Sequence, residues 1–188
     1  YNEQTQSSQS WVLRSTDDGA TWDDPTLICE GYNETAILSL PDDKLVAAMR
    51  IENRNGPNVF VTLSNDAGRS WSDPSEVTGL SEHPADLVLL SNGWILMTHG
   101  YRNEPWGVRG RVSIDGGQTW LDEPLLYADH APNGDCGYPS SCRLDDGTII
   151  TSYYSVGPDS NVSDGKSAHC NVVTYSEESL IEAVDNLR

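Results

Sequence analysis

One eight-residue motif occurs three times in this sequence at a constant spacing. The copies read STDDGATW at 15–22, SNDAGRSW at 64–71 and SIDGGQTW at 113–120, so 49 residues separate each start from the next. Repetition with a period of about 20–50 residues is typical of solenoids and propellers, in which each repeat forms one structural unit. The repeat constrains the fold more than any other feature of the chain.

The local sequence around each motif predicts strands joined by a tight turn. Short runs such as NVFVTLS alternate apolar and polar residues and are rich in β-branched side chains. Within the motif the Asp accepts backbone N–H bonds, and the Gly permits a positive φ. We therefore interpret Asp17, Asp66, Asp115 and the three Trp as structural. A calcium loop is the alternative, but it would need further oxygen ligands.

A second hairpin alternates with the first. LSLPDDKLVAAM (38–49), LVLLSNGWILMT (87–98) and SCRLDDGTIITS (141–152) each place a polar turn between two apolar strands. Four short strands in about 50 residues are the pattern of a β-propeller blade. The sequence predicts an all-β chain within 1–188, with a half blade at 11–30, blades at 34–80, 83–129 and 138–176, and a short tail or helix at 177–188.

The repeated motif resembles the Asp box, and its alternation with Leu-x-Asp-Gly hairpins is similar to the sialidase superfamily. The resemblance covers residues 11–176. It implies a six-bladed β-propeller of the sialidase type. The chain would be an incomplete set of about three and a half four-stranded blades, from the C-terminal part of a longer protein whose N-terminal blades are missing. Two sheet flanks would then be exposed.

The hairpins also align candidate site residues. Six positions before Leu40, Leu90 and Leu144 lie Glu34, Pro84 and Tyr138, and ten positions after them lie Arg50, Gly100 and Tyr154. The two positions meet across an antiparallel hairpin at the same end. Because the first two strands of a blade lie nearest the propeller axis, four of these side chains should converge at one mouth of the channel. They are Glu34, Arg50, Tyr138 and Tyr154.

The resemblance implies a role for three of them. Sialidases cleave a ketoside whose anomeric carbon bears a carboxylate, and a neutral phenol avoids the repulsion that an anionic nucleophile would meet. Ionising a Tyr at pH 7 costs about 4 kcal/mol, which a neighbouring Glu as base offsets. Tyr138 corresponds to the nucleophile and Glu34 to its base. Arg50 corresponds to an arginine that binds the substrate carboxylate through a fork of two hydrogen bonds.

Other candidates are less directly aligned. Arg102 is our first choice for a further carboxylate-binding arginine and Arg109 the second, whereas Arg111 should face outward. His83 would either bond a sugar hydroxyl or be structural. Tyr154 stands where sialidases carry a Glu that orients their first arginine. That arginine and the general-acid Asp would belong to the missing blades.

We therefore predict an exo-acting glycoside hydrolase of the sialidase type that retains configuration and uses no metal or cofactor. Its partner would be an acidic glycan or a sialoside. The alternatives are a non-catalytic glycan-binding propeller and a lyase or hydrolase acting on uronic-acid-containing glycans. The net charge of −18 argues against nucleic acid and anionic membrane surfaces as partners. An acidic propeller with glycan-binding geometry suits the periplasm or the cell exterior.

Overall fold

The computed structural model describes residues 7–51, 56–121, 126–128, 131–158 and 166–187, which form four successive antiparallel sheets and one helix. The first sheet contains β1 (Gln9–Arg14) and β2 (Asp23–Glu30). The second contains β3 (Tyr32–Ser39), β4 (Leu45–Ile51), β5 (Asn58–Ser64) and β6 (Ser75–Glu76) in that spatial order. The third contains β7 (Ala85–Leu89), β8 (Ile95–Tyr101), β9 (Gly107–Ser113) and β10 (Leu126–Ala128). The fourth contains β11 (Cys136–Arg143), β12 (Thr148–Pro158) and β13 (Lys166–Ser176), and α1 (Glu177–Asp185) follows it.

This arrangement confirms the predicted fold class, an incomplete β-propeller of short antiparallel sheets. Residue 129, where the third predicted blade ends, lies outside the described residues. Among the described residues, no helix is long and apolar enough to cross a membrane.

The residues of β4 show why the sheets stack face to face. Val46 and Ala48 belong to one buried cluster, and Ala47 and Met49 belong to another. Successive side chains of a strand point to opposite faces, so β4 is buried on both sides. The first cluster joins the second and third sheets through Val59, Val61, Leu87, Ile95 and Met97. The second joins the first and second sheets through Ile28 and Tyr32.

The helix α1 joins the third and fourth sheets. Its Leu180 and Val184 pack in one buried cluster with residues of β8 and β12, including Leu96 and Ile149. The Ser176 side chain caps the helix by accepting the Ser179 N–H. The helix thereby extends the apolar contact between the two sheets.

Each Asp box forms the turn that the sequence predicts. In the second box, Asp66 Oδ1 accepts the Ser70 N–H at 2.9 Å and the Ser64 hydroxyl at 2.8 Å. Ala67 and Gly68 have φ values of 55° and 78°, so the turn needs two consecutive left-handed residues. The hydrogen bonds lower the pKa of Asp66 to about 2, the Ser70 hydroxyl contributing most. The three boxes are structural.

The Asp boxes lie at the opposite end of the sheets from the aligned candidate residues. Ser64, where the second box begins, pairs with Leu45 at the start of β4. Arg50 stands at the other end of β4 and pairs with Asn33 on β3. Since a strand rises about 3.4 Å per residue, the two ends are well separated.

Candidate active site

Three neighbouring sheets contribute to a cavity of about 290 Å³. Its lining includes the three residues that the hairpins align, Glu34 from β3, Pro84 before β7 and Tyr138 from β11. Thr35, Ala36, Ala85 and Pro139 complete the lining. The structure therefore brings equivalent positions of successive blades into one site.

Glu34 and Tyr138 occupy matching irregularities in their strands. The β3–β4 register shifts between Asn33 and Ala36, and the β11–β12 register shifts between Gly137 and Ser140. Inside these bulges Glu34 has φ of 43° and Tyr138 has φ of 49°. Such backbone costs about 1–3 kcal/mol for a residue other than glycine and is concentrated at functional sites. A bulge also turns a side chain away from its regular direction.

The two bulges place a phenol against a carboxylate. The Tyr138 hydroxyl donates a hydrogen bond to Glu34 Oε1. The other oxygen, Glu34 Oε2, lies 2.7 Å from Arg50 Nη1. Arg50 is itself oriented by Asn33, whose Oδ1 accepts the Nε–H at 3.0 Å. The phenol, carboxylate and guanidinium thus form a continuous chain of contacts.

The surroundings of Tyr138 favour its neutral form. Burial raises the pKa of the phenol, and its hydrogen bond to Glu34 and the charge of that carboxylate raise it further. Arg50 and Arg102 act in the opposite direction. The phenol therefore stays protonated until its proton moves to an acceptor, and Glu34 is the acceptor already in contact.

Arg102 lies beside Tyr138 and forms no ion pair with any carboxylate that the structure describes. Its guanidinium carbon is 5.8 Å from the centre of the Tyr138 ring. Within the part of the chain that the structure describes, its buried Nε has no hydrogen-bond partner and no carboxylate pairs with it. A buried donor without a partner is costly, and an anionic ligand group would supply one.

A second phenol–carboxylate pair stands next to the first. The ring centres of Tyr154 and Tyr138 are 5.9 Å apart, and the Tyr154 hydroxyl donates to Asp135 Oδ1 at 2.6 Å. Burial raises the pKa of Tyr154 to about 12, and the hydrogen bond to Asp135 is the second contribution to this increase. Asp135 is absent from our sequence-based candidates. The pairing of Gly137 with Tyr154 is the signal that would have pointed to it, because Asp135 precedes Gly137 by two residues.

Three further residues considered from the sequence do not line the cavity and are not placed to contact a ligand there. They are His83, Arg109 and Arg111. His83 is only 4% exposed, and burial, with Arg102 and Arg50 nearby, lowers its pKa to about 4. It lies under the site as a neutral ring.

Arg109 is 2% exposed, stacks on Tyr101 at 4.2 Å and bonds the Val108 and Pro105 carbonyls. Arg111 does not face outward as expected, since it lies 3.5 Å from Glu82 in a partly buried position.

A larger cavity of about 580 Å³ lies at the Asp-box end of the sheets. Its charged lining residues are Asp42, Lys44 and Asp115, and the Asp115 carboxylate already binds Thr119. It brings together no phenol and carboxylate, so we assign the candidate site to the smaller cavity. Among the described ranges, no group of three or more His, Cys, Asp or Glu side chains is placed to hold a metal ion.

The repeated Asp boxes, the four radial sheets and the site at their opposite end define an Asp-box propeller. The sequence pattern of the BNR repeat-like domain matches residues 1–151. The chain belongs to that family. No curated protein matched the sequence.

Several solved structures share the fold. A protein of unknown function from Dyadobacter fermentans is 22% identical with a TM-score of 0.66, and the match covers 86% of this chain and 43% of that one. An ulvan lyase, described as a polysaccharide lyase of a new family, is 13% identical with a TM-score of 0.66 over 90% of this chain and 47% of its own. Trypanosoma rangeli sialidase bound to the inhibitor DANA is 18% identical with a TM-score of 0.61 over 95% and 29%. The chain therefore spans less than half the length of these structures.

Proposed function

We propose that the protein is an exo-acting glycoside hydrolase of the sialidase type, which cleaves a terminal sialic acid or a related acidic sugar with retention of configuration. The observation that carries the proposal is the hydrogen bond from Tyr138 to Glu34 beside two arginines. Fold similarity to sialidases supports it.

In the first step the Tyr138 oxygen attacks the anomeric carbon while its proton passes to Glu34 Oε1. The bond to the leaving oxygen breaks, and that oxygen takes a proton from a general acid, which the resemblance places in preceding blades. Water then attacks the anomeric carbon and gives one proton to the conjugate base of that general acid. The bond to the Tyr138 oxygen breaks, and the released phenolate recovers its proton from Glu34. The carboxylate is thus a base in one step and an acid in the other.

The arginines account for an acidic substrate. Arg102 offers donors with no carboxylate partner among the described residues, so a substrate carboxylate gains a charge-assisted bond there. Arg50 is connected to Tyr138 through Glu34, with which it forms an ion pair. When Glu34 takes the proton and becomes neutral, it attracts Arg50 less strongly, so the Arg50 charge acts more strongly on the same substrate group.

A second candidate is a lyase acting on uronic-acid-containing glycans, which the fold similarity to an ulvan lyase favours. The phenolate formed when Tyr138 passes its proton to Glu34 would then remove a proton from the carbon next to the carboxylate, and the arginines would hold that carboxylate. The glycosidic oxygen on the neighbouring carbon would leave and take up the proton that Tyr138 removed. The product would carry a new carbon–carbon double bond. A propeller that only binds acidic glycans would form neither product.

The test is turnover of a fluorogenic sialoside and of a uronic-acid-containing glycan by the protein with its full native sequence. Tyr138→Phe keeps the ring beside Tyr154 and Arg102 but removes the reacting oxygen. We expect sialoside turnover to fall at least about 100-fold while binding persists. Tyr175→Phe, which removes a hydroxyl 3.0 Å from Thr151 and away from the site, is the matched control.

Three results would contradict the proposal in different ways. Undiminished turnover by Tyr138→Phe would exclude Tyr138 as nucleophile. An unsaturated, ultraviolet-absorbing product from the second substrate would assign the site to a lyase. Binding of both glycans without turnover by the wild-type protein would leave a glycan-binding propeller.

A further inference from the structure

Ser141 lies three residues after Tyr138 on β11, and its backbone is held from the neighbouring sheet. In the described part of the fourth sheet β11 is an edge strand, paired only with β12. Every second N–H of an edge strand points away from the sheet and needs another acceptor. For Ser141 the acceptor is Asp86 Oδ2 on β7, at 2.6 Å.

The same patch of the third sheet also holds the Ser141 side chain. Asp86 pairs directly with Thr98 on β8, so the two side chains share one face of the sheet. The Thr98 hydroxyl lies 2.8 Å from the Ser141 hydroxyl, which lies 2.9 Å from Thr151. Backbone and side chain of Ser141 are thus bound separately, by Asp86 and by Thr98.

A carboxylate at position 86 costs free energy because it is largely removed from water. Burial raises the pKa of its carboxyl, although the bonds from the Ser141 and Leu87 N–H groups lower it. Desolvating a carboxylate is unfavourable unless its hydrogen bonds compensate. An apolar residue would avoid that cost but would leave the Ser141 N–H without an acceptor.

The bulge that carries Tyr138 ends where Asp86 binds. Between Gly137 and Ser140 the β11–β12 register shifts, and Tyr138 and Pro139 have no Cα partner on β12. On the near side of the bulge, Gly137 packs against the backbone of Gly100. On the far side, the first N–H bound by another sheet is that of Ser141.

We infer that Asp86 is a positioning residue, which anchors the end of the β11 bulge through the Ser141 N–H and so fixes where the Tyr138 hydroxyl meets Glu34. The kinetic consequence rests on the proposed function, but the geometric one does not. Displacing a reacting group by about 1 Å costs about 100-fold in rate. Asp86 is not among the residues that line the cavity, so it acts on Tyr138 through β11.

The kinetic test compares three variants of the protein with its full native sequence. Asp86→Leu has similar size but no acceptor, and we expect kcat for a sialoside to fall about 100-fold with KM changed less than about threefold. Asp86→Asn keeps one acceptor oxygen and should restore kcat to within about tenfold of wild type. Thr98→Val removes only the side-chain contact to Ser141, so it lowers thermal stability while leaving kcat unchanged.

A second measurement needs no turnover and separates the two proposals. In isotope-labelled protein the Ser141 amide proton should follow the titration of Asp86 and move upfield in Asp86→Leu, and the Tyr138 ring resonances should shift with it. If the wild type has no hydrolase activity, these shifts still support the positioning role while the proposed function fails. Wild-type kcat in Asp86→Leu, or a Ser141 amide that ignores the Asp86 titration, would overturn the inference. The titration uses wild-type protein, so an unresponsive Ser141 amide would overturn the inference even if Asp86→Leu does not fold.

Discussion

Replacing Gly100 with Ala tests how tightly the backbone is packed around this residue beneath the site. A Cβ at residue 100 would lie 3.2 Å from the Gly137 Cα and nearer still to the His83 carbonyl oxygen. Both neighbours are backbone atoms, so no side-chain rotation relieves the contact. Gly100 occupies the position in the third sheet that Arg50 and Tyr154 occupy in the second and fourth sheets. At this position of the third sheet there is no room for a side chain.

The expected loss of stability follows from two opposing effects. Overpacking against backbone costs about 1–3 kcal/mol, and the lower entropy of the unfolded Ala chain offsets about 0.4–1 kcal/mol of it. We expect the free energy of unfolding to fall by about 1–2 kcal/mol, which in urea lowers the midpoint by about 0.5–1 M. Because Gly137 precedes Tyr138, the same shift should also lower turnover.

Gly157→Ala is the matched control for this measurement. Gly157 is likewise a strand glycine, but a Cβ there would meet its nearest atom, Pro132 Cγ, at 3.4 Å, which is ordinary contact. This variant should be as stable as wild type or slightly more stable. If Gly100→Ala unfolds at the wild-type urea concentration, or if both variants lose equal stability, the close packing of backbone around Gly100 is refuted.

Two further predictions concern the structural framework rather than the site. The hydrogen bonds that lower the pKa of Asp66 to about 2 stabilise the folded protein fully above about pH 4, and this stability is lost as the pH falls through about 2. Urea unfolding over that range should therefore depend less on pH in Asp66→Asn, and an unchanged slope would contradict the assignment. Glu177 accepts the Ser91 N–H at 2.5 Å and pairs with Arg143 at 2.8 Å, so Glu177→Ala should cost about 2 kcal/mol of unfolding free energy. Replacing the exposed Glu178 instead should change it by less than about 0.5 kcal/mol, and equal losses in the two variants would exclude that role for Glu177.

The repeat spacing predicts most of the fold because the determinants of a blade are local. The turn at Asp66 closes through Ser64 and Ser70, all within seven residues, and any copy of the motif can form it. The alternation of Val46 to Met49 likewise assigns each side chain to one face of β4 without knowledge of the neighbouring sheet. Periodicity and turn chemistry are therefore sufficient for the architecture.

The site is predictable only where equal hairpin length makes positions equivalent. Counting from Leu40 and Leu144 places Glu34 and Tyr138 at the same end of their blades, and the structure brings them into contact. Arg109 shows the limit of this reasoning. Its side chain stacks on Tyr101 and is buried there, and this depends on how β8 and β9 pack rather than on any count along the chain.

Hydrogen bonds between residues of different sheets are harder to predict from the sequence. The bond between Asp86 and Ser141 spans 55 residues, and the sequence of neither strand indicates which residue of the other strand it contacts. Such contacts depend on the relative height of two blades, which a shift of one residue in either register would change. Hydrophobic patterns predict that the blades stack, but they carry little information on that height.

The local backbone, and not the alignment alone, decides which equivalent positions carry chemistry. Glu34 and Tyr138 stand in bulges with left-handed φ values, whereas β7 pairs with β8 in regular register directly after Pro84. A regular strand would alternate its side chains between the two sheet faces, where the neighbouring blades bury them. A bulge instead turns one side chain towards the channel, at a cost in backbone strain. Glu34 and Tyr138 are also joined by a hydrogen bond, so these two left-handed residues lie where the proposed reaction takes place.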